Sequence, residues 1–262
     1  MLETLGYILN VIFAGLLLPV MLLPLARLLQ KDRSDLVGAS LWFGLVIVLI
    51  TVCIIFAVLT PRLNGPDTSQ WKFITLISIL SAAVTLTGFK VGLERFAGRF
   101  SKIAQACVSG AGRSVMWLLL TMVIIQFGVV VLRYVFGINF IFMQESITYM
   151  HGAVFLLAAG YALLTNDHVR VDIFYQAASP RRKALIDFIG TYFFLVPMCL
   201  VIIWAAGPYV ANAWAVQEGS TESSGIQGVF LLKSLIPLFA TFLMLAGFTK
   251  ANEASITMRE KV

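Results

Sequence analysis

Apolar side chains gather along this chain in seven blocks, about 5–26, 36–59, 71–89, 115–132, 146–165, 184–206 and 229–248, and short polar stretches separate them. A helix needs about 20 apolar residues to cross roughly 30 Å of hydrocarbon, so the pattern predicts seven transmembrane helices in an all-α polytopic membrane protein. Seven helices and their links use nearly all of the 262 residues. Anything that acts in water is therefore expected to be a separate polypeptide. The first block has no Lys or Arg before it and is too long for a signal core, so its helix is expected to stay.

Composition agrees: 60% of residues are hydrophobic, 12% are charged and mean hydropathy is +0.92, whereas about a quarter of a soluble domain is charged. The net charge of +6 says more by its placement than by its total, and no nucleic-acid partner is expected. Arg27, Lys31 and Arg33 follow the first block; Lys90, Arg95, Arg99, Lys102 and Arg113 follow the third. Arg170, Arg181, Arg182 and Lys183 follow the fifth, and Lys250, Arg259 and Lys261 follow the seventh. The alternate links hold only Arg62, Lys72 and Arg133. Because basic residues concentrate in short cytoplasmic loops, the amino terminus is expected outside and the carboxyl terminus in the cytoplasm.

The basic stretch from Lys90 to Arg113 parts three blocks from four. Leu93, Phe96, Phe100 and Ile103 recur at helical spacing with Arg95, Arg99 and Lys102 opposite, the pattern of a helix in the headgroup layer held by anionic lipid. An ordinary connector obeying the charge rule fits equally well. Ser179 and Pro180 mark the start of the sixth helix, with the Ser179 hydroxyl as cap and Pro180 at the first helical position. Pro197 and Pro237 lie deep in the sixth and seventh blocks, where each removes a backbone hydrogen bond and favours a kink. Gly207 to Gly228 is expected to be the one long external loop.

Cofactor chemistry finds little support. His151 and His168 lie 17 residues apart on one helix, about 25 Å, too far to ligate one haem iron. There is no Gly-x-Ser-x-Gly segment for acyl transfer, and Cys53, Cys107 and Cys199 show no paired spacing. Lys233 in a seventh helix resembles the Schiff-base lysine of a retinal photoprotein, but the block from Trp71 to Phe89 carries no acid to serve as counter-ion. Its ammonium is expected to snorkel toward water, Glu218 or Glu222. Asp187 lies one turn after Lys183, a local ion pair. Glu145 heads the fifth helix and Arg133 closes the fourth. Gly152, Ala153, Ala158, Ala159, Gly160 and Ala162 give the fifth helix a small-residue face fit for another helix.

The most informative stretch is the polar knot Asn166-Asp167-His168-Val169-Arg170-Val171-Asp172 directly after the fifth block. With Arg133-Tyr134-Val135-Phe136, Glu145-Ser146, Tyr149-Met150-His151, Ser179-Pro180-Arg181-Arg182-Lys183 and Leu231-Leu232-Lys233-Ser234-Leu235-Ile236-Pro237, it resembles the small membrane subunit of tripartite ATP-independent periplasmic (TRAP) transporters. The resemblance covers about residues 114 to 250. It implies a bacterial inner-membrane accessory subunit, with no catalysis and no cofactor of its own. Such a subunit braces a large elevator-type membrane subunit that carries the substrate and sodium sites, and a soluble periplasmic binding protein delivers an organic anion. On that reading residues 1–90 are a three-span addition, 91–113 a basic linker helix, 114–250 the four-span core and 251–262 a cytoplasmic tail. Glu145, His168, Arg170, Asp172 and Arg133 are then the expected contacts with the large partner or with membrane lipid. Lys233, Glu218 and Glu222 are the expected outer contact with the binding protein.

Overall fold

The computed structural model describes residues 13–30, 35–59, 68–168 and 175–259. Among them every regular element is helical: α1 (Leu18–Leu29, entered through a π-helical turn at Phe13–Leu17), α2 (Asp35–Leu59), α3 (Thr68–Val91), α4 (Leu93–Tyr134), α5 (Ile141–Thr165), α6 (Pro180–Ile189), α7 (Val196–Ala215) and α8 (Val229–Arg259). A π-helical stretch, Gly190–Leu195, joins α6 to α7. The described part of each of the seven apolar blocks has become helix. Four stretches, Leu93–Tyr134, Ile141–Thr165, Pro180–Ala215 and Val229–Arg259, are long and apolar enough to cross a membrane, and Gly15–Leu29, Val37–Thr51 and Thr75–Val91 are shorter apolar helices.

Several boundaries differ from those expected. The basic stretch after α3 and the fourth apolar block form one unbroken helix of 42 residues, about 63 Å long and twice the hydrocarbon thickness. The turn falls instead at Gly92, whose φ of 91° lies in the left-handed region that suits glycine. Along the start of α4 the buried line runs through Leu93, Ala97, Ser101, Ala104 and Val108, while Ile103, expected on the apolar face, is 61% exposed. Ser179 occupies the cap position of α6 without a side-chain bond; its carbonyl accepts the Lys183 amide at 2.9 Å. Pro180 does stand in the first turn. The π turn directly precedes Pro197, where the wider turn accommodates the lost amide. Helix α8 continues through Pro237.

The chain divides into two compact units that interleave along the sequence. One comprises residues 1–6, 104–170 and 193–247, and the other residues 7–103, 171–192 and 248–262. In the second, Leu25 and Leu28 of α1 pack with Ala184 and Phe188 of α6 and with Ala251, Ala254 and Met258 of α8. Pro19 has no amide to offer the Gly15 carbonyl four residues back, and the Ser81 hydroxyl of α3 donates to that oxygen at 3.2 Å. The indole of Trp42, on α2, is fully covered; it donates to the Pro19 carbonyl at 2.7 Å and tilts against Phe96 of α4. The described residues before α4 thus belong to one unit with the start of α4, α6 and the end of α8.

Candidate functional site

Polar chemistry in the first unit collects where α5 begins and where α7 turns into α8. Helix α7 runs through Gly207 and Pro208 to Ala215, so the loop between it and α8 is residues 216–228, shorter than its glycines suggest. Glu145 lies one turn inside α5, which starts at Ile141. It does not act as a helix cap. One carboxylate oxygen accepts the Ile226 amide at 2.6 Å and the other accepts the Ser220 hydroxyl, so a single side chain closes the loop on itself and onto α5. Gly225 is required there: a Cβ would fall 2.3 Å from the Ser220 oxygen and 2.7 Å from Glu145 Oε1.

Glu218 joins the two helix ends twice over. Its amide donates to the Ala213 carbonyl at 2.9 Å, and its own carbonyl accepts the Phe230 amide at 3.2 Å. Its carboxylate pairs with Lys233, whose ammonium also stands 3.9 Å from the centre of the Tyr209 ring. Lys233 is therefore engaged with the first of the two acids expected for it, and with an aromatic face that favours a cation. Glu222 is exposed; its amide donates to Ser220 Oγ and its carbonyl accepts from Gly225. Trp214 donates to Ser234 Oγ at 2.7 Å and meets Phe230 edge-on. Arg133 is exposed, its guanidinium 5.9 Å from the Tyr134 ring centre.

At the other end of α5, Asn166 adopts a left-handed φ of 62° and its amide donates to the Ala162 carbonyl, a common way to finish a helix. The exposed His168 ring brings Nδ1 to 3.5 Å from the same carbonyl. Arg170 and Asp172 lie outside the described residues. The structure thus brings Glu145, Glu218, Glu222 and Lys233 into one loop assembly, and places His168 at the opposite end of α5. Asp187, expected beside Lys183, accepts from the Tyr175 hydroxyl at 2.8 Å, and the Lys183 ammonium stands over that same ring. Of the small residues of α5, Gly152 and Gly160 meet α8 within this chain: a Cβ on Gly152 would lie 2.9 Å from Leu232, and one on Gly160 would lie 3.0 Å from Phe242.

The second unit holds a buried charge cluster that charge counting alone could not single out. Arg27, with its side chain 3% exposed, donates Nε to Glu94 Oε1 at 2.9 Å and Nη2 to Glu94 Oε2 at 2.6 Å. Its Nη1 donates to Asn252 Oδ1 at 2.6 Å and to Ser255 Oγ at 2.8 Å. The two-pronged carboxylate pairing is the strong form of this interaction, and Nη1 is bonded as well. One signal was available: Arg27 directly follows an apolar run whose end must meet other helices. No group of three or more His, Cys, Asp or Glu that could hold a metal occurs among the described residues.

Residues 122–254, just over half of the chain, match the family described as Tripartite ATP-independent periplasmic transporters, DctQ component. Neither a curated protein nor a solved structure matches. Long apolar helices, polar groups gathered at their ends and a family match that spans α5 through most of α8 give one conclusion: the chain belongs to the DctQ family, the small membrane component of TRAP transporters.

Proposed function

We propose that this chain braces a large elevator-type membrane subunit during sodium-driven, binding-protein-dependent uptake of an organic anion across the bacterial inner membrane. The carrying observation is the family match across the long helices, and the way polar groups are used supports it. Glu145, Glu218 and Lys233 are spent on bonds within the chain, so they fix a surface instead of offering a mobile relay. The large subunit supplies sodium coupling and the substrate site. The amino terminus lies outside and the carboxyl terminus in the cytoplasm, a reading that the alternation of basic links supports.

The loop of residues 216–228, held rigid by Glu145, presents Glu222 and the Lys233–Glu218 pair to the binding protein. Arg133, His168, Arg170 and Asp172 contact the large subunit or a lipid headgroup. The three helices before α4 extend the scaffold, a reading supported by the packing of α1 against α6 and α8. An independent seven-helix photoprotein would need Lys233 free for a Schiff base, whereas here its ammonium is paired with Glu218.

Purification of the tagged chain from membranes tests the proposal. A companion with many apolar spans should co-purify, and neutralising Arg170 and Asp172 together should lower its recovery. Vesicles should take up solute with the companion and the binding protein added. Uptake by this chain alone would refute the bracing role.

A further inference from the structure

We propose that the face of α5 carrying Thr148, His151 and Phe155 is where a transmembrane helix of the large membrane subunit lies, with a hydrogen-bonding side chain of that helix meeting His151. The inference rests on the small-subunit reading above. From Glu145 to Thr165 is 20 residues, about 30 Å of helix, which matches the hydrocarbon thickness. His151 is six residues past Glu145, about 9 Å further along α5 and within that stretch. Thr148, His151 and Phe155 are all exposed, and at 100° per residue they fall within about 60° of one another. Ala158 and Ala162 continue the same stripe, small enough for a helix to approach closely. On the flank of α5 away from His151, Gly152 and Gly160, about 40° and 120° round the helix from Thr148, are already covered by α8.

Two observations separate this stripe from a lipid-facing one. Thr121, Thr165, Thr191, Thr241 and Thr257 each donate to the carbonyl four residues back, which hides the hydroxyl from hydrocarbon. Among the described residues Thr148 makes no such bond, and His151 one turn later has no partner either. Elsewhere the outward residues of the long helices are mostly apolar, with Trp117, Val123 and Phe127 on α4 and Met198 and Trp204 on α7, although α4 also exposes Gln126. Lipid tails satisfy those faces and offer nothing to a hydroxyl or an imidazole. Hydrogen-bonding groups exposed at membrane depth call for a protein partner, and in a tripartite system the membrane-embedded companion of this chain is the large subunit.

A photoreactive amino acid at His151, with control chains carrying it at Phe127 or Trp204, tests this in membranes that contain both subunits. Irradiation should join the His151 position to the large subunit and leave both controls unjoined. Joining from Phe127 or Trp204 but not from His151 overturns the assignment while leaving the bracing role intact. Joining to a second copy of this chain overturns it too, and failure of any large subunit to co-purify overturns both readings. In parallel, Thr148→Val with His151→Leu should lower recovery of the large subunit about three- to tenfold, the range of interhelical hydrogen bonds in membranes. His151→Asn, which keeps hydrogen-bonding capacity, should hold recovery near that of the unaltered chain. Recovery unchanged or raised in the apolar pair means the face meets lipid and refutes the proposal.

Discussion

Two polar clusters in this molecule use charge in opposite ways. Around Arg27 a cation is buried among α1, α4 and α8, and all its bonding is to side chains and one backbone carbonyl of those helices. Around Glu145 a carboxylate closes a loop, taking one backbone amide and one hydroxyl. The first holds helices that are 67 and 225 residues apart in sequence, and the second holds the connection between neighbouring helices α7 and α8 onto α5. A buried cation is costly without its partners, whereas a loop carboxylate that is released can find water. The Arg27 cluster should therefore govern stability, and the Glu145 cluster the shape of a surface.

The sharpest test exploits an asymmetry within the Arg27 pair, because the Glu94 side chain is 50% exposed and that of Arg27 only 3%. Glu94→Ala leaves a guanidinium buried with two donors unmet and should cost about 3 kcal/mol, measured by unfolding in detergent. Arg27→Met leaves Glu94 free to turn to water and should cost less, about 1–2 kcal/mol. The reverse order would break the comparison.

Next in size, Glu145→Ala removes the acceptor for the Ile226 amide and the Ser220 hydroxyl. About 2 kcal/mol of local closure should be lost, seen as roughly thirtyfold faster proteolysis within residues 216–228 with little change in global unfolding. Gly225→Ala pushes a methyl against Ser220 Oγ and Cβ and against Glu145 Oε1, so the loop itself must shift, and it should loosen the same loop by about 1 kcal/mol. Lys233→Met should do least. The backbone bonds of Glu218 to Ala213 and Phe230 remain, so the cleavage pattern should match that of the unaltered chain.

Much of the fold was legible. The described part of each of the seven apolar blocks became helix. What the pattern misplaced were boundaries. Lys90 to Arg113 reads as a separate element because its composition changes, but charge on one side of a helix is no reason for the helix to stop, and the break came at Gly92. Gly207 and Pro208 read as a loop, yet α7 continues past them, with Val210 and Ala213 buried and Trp214 bonded to Ser234. Ser179 has the right chemistry for a cap and makes no cap bond. Of the candidate contacts, Glu145 and Lys233 were visible as charges out of place, while Ser220, Ile226 and Tyr209 carry no such mark. His151 stood out only as a histidine unsuited to haem, and its importance as an exposed polar group needed the positions of its neighbours.

The sequence by itself settled which stretches had to be helices, because hydrocarbon tolerates no unpaired amide and runs of about 20 apolar residues have no other way to satisfy their backbone. Tertiary structure alone decided that Arg27 would find Glu94, Asn252 and Ser255, that Glu145 would hold residues 220 and 226, and that one face of α5 would remain open. Those choices depend on which helix faces pack together, and lipid-bathed helices carry little trace of that in a pattern that is apolar nearly all round.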